Sequence, residues 1–302
     1  MPKLALLAFA CLGVAGSSPQ LLATVTTGAS PAGATAAYGA VWVANDGAGT
    51  LARINPRTNR VTRRIRLRPG LFSVTRGFGA LWVVNYRQDT LTRIDPSTLR
   101  RRSVRVGSAP FDVVAAYGRL WVTAWEAGTL VELDPRSLKV VRRTRIGPRP
   151  TGLRAAAGAV WVGFGRSATA VATVDPRTHR IRRIPVGVRA PSWFAAGTRD
   201  LWIQAADHVL VRLDPATRKV RARLSFGRTL AQGALAADGT IWIPDKESNV
   251  VHRVDPKTSL VVDDFPAGPG AFFALRAFGS MWVASYAGDD VWRFGTVALR
   301  NP

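Results

Sequence analysis

Cysteine is nearly missing from this chain: one residue, Cys11, stands among 302. It lies in an N-terminal apolar run, so the body of the chain has no disulfide and no thiolate metal site. Histidine is almost as scarce, with only His179, His208 and His252. These three follow no metal-ligand spacing, and neither a nucleophile elbow nor a phosphate loop occurs. Acidic residues number 19 against 42 lysines and arginines, a formal net charge of +23. Such an excess favours anionic partners such as lipid headgroups, cell-wall polymers or nucleic acid. No apolar run is long enough to cross a bilayer as a helix. Helical periodicity is absent from the body of the chain as well.

The longest apolar run extends from Leu4 to Ala15, behind Lys3 and ahead of Gly16-Ser17-Ser18. A cation, a short apolar segment and small residues form an export-signal pattern over residues 1–17. Val14 and Gly16 suit positions −3 and −1 of a cleavage site. Ala8-Phe9-Ala10-Cys11 offers a weaker lipoprotein reading. The expected location is secreted, periplasmic or attached to the cell envelope.

What the chain has in abundance is repetition. Seven tryptophans, Trp42, Trp82, Trp121, Trp161, Trp202, Trp242 and Trp282, recur between aliphatic neighbours at spacings of 40, 39, 40, 41, 40 and 40. Six of the seven units continue into an apolar run ending at Asn-Pro or Asp-Pro, as in Leu91-Thr92-Arg93-Ile94-Asp95-Pro96. An Arg-rich run and a glycine follow, and an Ala-rich run opens the next unit. Four short β-type runs in about 40 residues are the arithmetic of a propeller blade. The predicted fold is an all-β, seven-bladed β-propeller over residues 22–302. The seventh unit ends too early for a fourth strand. Residues 23–31 align with Ser103–Pro110, so the N-terminal strand is expected to complete blade seven and close the ring.

The tryptophans are expected to pack between blades, and the Asp-Pro pairs to start turns. The arginines gather on the outermost strands of blades one to five. There they guard exposed edges or attach the protein to an anionic envelope polymer. Aromatics are not interleaved with them, which argues against a nucleic-acid platform.

A ligand site is expected at one mouth of the channel, on the loops after the Trp strand and before the Ala-rich strand. Its candidate aromatics are Phe72, Tyr86, Phe111, Trp125, Trp193, Phe272 and Tyr286. Its candidate acids are Asp112, Glu126, Asp245 and Asp289. Aromatics with a few polar groups suit a small molecule, a peptide or an envelope polymer, and acids among them suit a cation. A carboxylate-rich mouth also suggests a divalent cation, magnesium or calcium, held through oxygens. The expected protein is a monomeric, non-enzymatic binding scaffold.

The units resemble the YVTN-type bacterial propeller repeats. Val41-Trp42-Val43-Ala44-Asn45, Leu91-Thr92-Arg93-Ile94-Asp95-Pro96-Ser97-Thr98 and Val106-Gly107-Ser108-Ala109-Pro110 carry that resemblance. They are similar, more distantly, to the streptogramin (virginiamycin B) lyases. Those are seven-bladed propellers that open a cyclic depsipeptide by metal-assisted elimination, with His and Glu near the channel. This second resemblance implies His208 as base and Glu126 as carboxylate.

Overall fold

A computed structural model describes residues 18–195, 199–206, 208–226, 233–235 and 239–295. The proposed signal segment, Cys11, Asp207 and Gln232 lie outside the described residues. Seven four-stranded antiparallel sheets form the ring. Blade one runs from its inner strand Pro31–Ala37 through Ala40–Asn45 and Thr50–Asn55 to its outer strand Arg60–Arg66. Blades two to six repeat this order, with inner strands starting at Leu71, Pro110, Pro150, Trp193 and Ala234. Blade seven contains Ala271–Ala277, Ser280–Ser285 and Asp290–Gly295. Its outer strand is Leu21–Thr26, which pairs Thr24 with Trp292 and Val25 with Val291. The N-terminal strand therefore closes the ring, as the repeat alignment requires.

Each of the seven repeat tryptophans is fully buried and packs against the second strand of the next blade. Trp42 meets Leu81 and Val83, Trp82 meets Leu120 and Val122, and Trp282 completes the circle on Val41 and Val43. The indole nitrogens of Trp42, Trp82, Trp121, Trp161 and Trp282 each donate to the carbonyl five residues earlier. Burial thus leaves these polar atoms satisfied.

The Asp-Pro turns lie on the lower face. Asp95, Asp134, Asp175 and Asp214 each accept backbone N–H bonds from residues two and three further on. The loops between blades, and those after the Trp strand, lie on the upper face. Small residues let the inner strands converge on the axis. A Cβ on Gly33 would come within 2.4 Å of the Phe72 carbonyl oxygen, and one on Gly77 within 2.3 Å of the Ala115 Cβ.

Candidate functional site

The upper end of the channel is built from aromatic rings. Phe72, Phe111 and Phe272 are the second residues of the inner strands of blades two, three and seven, and Trp193 opens that of blade five. Alternation along a strand turns these positions toward the axis. Phe72 stacks on Phe111 with centroids 4.2 Å apart, lies 5.7 Å from Trp193, and meets Phe272 edge-on at 6.0 Å. Trp125 extends the cluster from Phe111 at 5.1 Å, and Tyr286 extends it from Phe272 at 5.2 Å. Tyr86 reaches Phe72 at 6.4 Å. All seven candidate aromatics therefore belong to one assembly contributed by four blades.

A cavity of about 650 Å³ runs along this assembly, lined by Phe72, Trp193 and Phe272 together with Ser73, Asp112, Arg154, Gln204 and Lys246. Asp112 is buried in its wall and ties three blades together. Ser73 Oγ of blade two donates to its Oδ1 at 2.6 Å, and the Leu153 N–H of blade four donates to its Oδ2 at 2.7 Å. Its own backbone N–H donates to Thr123 Oγ1. Burial pushes the Asp112 carboxyl up to about 6, against the pull of these hydrogen bonds and of Arg154. Burial also lowers the Arg154 guanidinium, which the charge of Asp112 partly offsets. Among the described residues, Arg154 has neither a hydrogen bond nor an ion pair.

The other acids, Glu126 apart, are engaged elsewhere. Asp289 of blade seven accepts the Ser30 N–H of blade one at 2.9 Å. Asp89 holds the Ala109 N–H in the same way, and Asp46 holds the Gly70 N–H. Each is a clasp from one blade to the next. Asp46 also accepts the Tyr286 hydroxyl at 2.8 Å. Burial and this carboxylate push the Tyr286 hydroxyl up to about 12. Asp245 is fully buried in blade six, where it accepts the Glu247 and Ser248 N–H groups and faces His252 Nε2 at 3.5 Å. Burial raises its carboxyl, but the hydrogen bonds outweigh that and hold it below the usual range. Glu126 is exposed on its loop. His208 is half-buried, and its Nδ1 is buried without a partner among the described residues.

Magnesium or calcium would need several oxygen donors around one point. Among the described residues, no three His, Cys, Asp or Glu side chains are grouped to hold a metal ion. The described acids of the mouth are thus spread over separate blades rather than gathered around one point.

Arg154, Lys246, Ser73 and Gln204 were not picked out from sequence. The available signal was register. Arg154 pairs opposite Trp161, where the other blades place Thr35, Thr75, Val114 and Leu275 opposite their own tryptophans. It is the one charge in that set.

No protein-family model matches the sequence, and no curated protein matches it. Solved structures do. Virginiamycin B lyase from Staphylococcus aureus superposes with a TM-score of 0.81 at 14% identity, covering 93% of this chain and all of that one. A catalytically inactive form of that enzyme with quinupristin gives 0.76 at 15% identity, covering 93% and 99%. Kuenenia stuttgartiensis hydrazine synthase gives 0.77 at 13% identity, covering 90% and 97%. At such identities the likeness establishes the propeller fold alone.

Proposed function

We propose that this propeller is a binding scaffold whose upper channel mouth takes a small molecule or peptide carrying an aromatic ring and an anionic group. The observation that carries this reading is the cavity itself. It is walled by stacked rings and holds two cations, Arg154 and Lys246, against one carboxylate that is already hydrogen-bonded. Rings of this kind accept a flat apolar group, and a half-buried guanidinium favours a carboxylate or phosphate. The cation expected from sequence fits less well, because Asp112, Asp245 and Asp289 already accept backbone N–H groups. Export to the envelope, supported by the apolar run over residues 4–15, belongs to the same proposal. N-terminal sequencing of the mature protein tests it.

Tryptophan fluorescence titration with N-acetyl-phenylalanine and phenylalanine-rich peptides tests the binding reading. Saturable quenching is expected, weakened at least tenfold by Trp193→Ala, a loss of roughly 1.4 kcal/mol or more. Quenching unaffected by that substitution would refute it.

The fold likeness to virginiamycin B lyase favours a second reading, an eliminating lyase with His208 as base. Turnover of a streptogramin lactone that disappears in His208→Ala while affinity persists supports this second reading. Absence of turnover in the wild type rejects it.

A further inference from the structure

One position in the repeat sets the charge between blades on the lower face. The third-strand residue paired opposite the tryptophan is Arg53, Arg93, Glu132, Thr173, Arg212, Arg253 and Arg293 in blades one to seven. In blades five and six an acid neutralises the arginine. Arg212 Nε meets Asp200 at 2.5 Å, and Arg253 Nη1 meets Asp263 at 3.3 Å. In blade three the sign is reversed, and Glu132 holds Arg119 at 3.3 Å and His179 of blade four at 2.9 Å.

Where blade seven meets blade one, the acids have been replaced. Arg293 lies over the Trp282 ring at 5.0 Å, and Arg53 over the Trp42 ring at 5.8 Å. Ser280 stands where blade five has Asp200, and accepts from Arg293 Nε at 2.9 Å. Asn55 replaces the aspartate that precedes proline in the other five such turns. Arg53 pairs opposite Arg63, whereas Arg253 pairs opposite Asp263. The remaining partners are neutral oxygens: the Pro56 carbonyl and Asn59 Oδ1 for Arg293, and Thr62 Oγ1 for Arg53.

An open cleft of about 740 Å³ lies between these blades, lined by Arg53, Arg57, Arg293, Asn55 and Phe278 with Gly39 and Pro56. Among the described residues, no carboxylate lines it. The matching cleft between blades five and six contains Asp200 and Asp214, ion-paired to Arg212 and Arg221. Three guanidinium groups with no counter-charge among the described residues repel one another, and an oxyanion relieves that repulsion. Planar guanidinium forks match phosphate oxygens in particular. Phe278, 44% exposed, supplies an apolar wall at the rim.

We propose that the cleft between blades seven and one binds a phosphate-type oxyanion through Arg53, Arg57 and Arg293. The ligand bridges cations from both blades and so reinforces the point at which the ring closes. The phosphate group is either free or part of a larger ester.

The test is calorimetric titration of the full chain with inorganic phosphate, glycerol 3-phosphate and short polyphosphate. Wild type is compared with Arg53→Gln/Arg57→Gln, with Ser280→Asp, and with Arg102→Gln/Arg143→Gln as an outer-strand control of equal charge change. Saturable binding at one site is expected, weakened at least tenfold by the first two variants and less than twofold by the control. Ser280→Asp restores the acid seen in blade five, so it tests the site without removing a packed arginine. Equal loss in the control, full affinity in Ser280→Asp, or no saturable binding in the wild type would overturn the proposal. Tighter binding of the ester or polyphosphate identifies a larger ligand, and equal affinity identifies phosphate itself.

Discussion

Asp112 is the residue on which the channel wall turns. Burial lifts its folded-state pKa to about 6, above the unfolded value of 3.8. The sign follows from linkage: a raised pKa means the folded state binds the proton more tightly, so its stabilising contribution is complete below the unfolded value. That contribution is lost as pH rises through about 6, and amounts to roughly 3 kcal/mol for a shift of this size. Asp112→Asn removes the titration and sets an amide against the Leu153 N–H. Thermal melts should show the variant destabilised by about 1–3 kcal/mol at pH 5, with the gap to wild type shrinking at pH 8. A gap independent of pH would show that Asp112 does not titrate in this range. The rings around Asp112 were legible in the sequence, because aromatics recur beside the same strand starts, and Asp112 directly follows one of them. Arg154 was hidden by its ordinary surroundings, and only its register opposite Trp161 distinguishes it.

At the scale of strands, the outer arginines divide into two kinds. Arg64, Arg183 and Arg223 donate to backbone carbonyls of Thr27, Ile146 and Val186, each on the preceding blade. Arg102 and Arg143 are exposed and have no such tie among the described residues. Arg223→Gln should therefore cost about 1 kcal/mol in denaturant unfolding, and Arg102→Gln less than about 0.5 kcal/mol. Equal costs would contradict this division. The arginine-rich runs were visible in sequence, but which members reach a neighbour depends on blade spacing, and no single run encodes that. The N-terminal strand was legible because residues 23–31 repeat a pattern found between other blades. Deleting residues 22–28 should lower the Tm of the whole domain by more than about 10 °C, since Val25 packs with Val291 and Trp282. An unchanged cooperative melt would refute closure by this strand.

For the whole molecule, the repeat determined the ring, and departures from the repeat mark its sites. Blade number followed from the tryptophan spacing, because each indole needs the next blade to be buried. The site was harder to read, because convergence at an axis joins residues some 200 positions apart, as Phe72 meets Phe272. The acids were misleading for the same reason: a carboxylate that clasps the next blade has the same loop spacing as one that awaits a ligand.

Recognition of an aromatic anion at the channel mouth is proposed to run through Arg154. The direct measurement is a double cycle, in which N-acetyl-phenylalanine and its amide are titrated against wild type and Arg154→Gln. A coupling of about 1.5–3 kcal/mol between the ligand carboxylate and Arg154 is expected. A coupling indistinguishable from zero would contradict it.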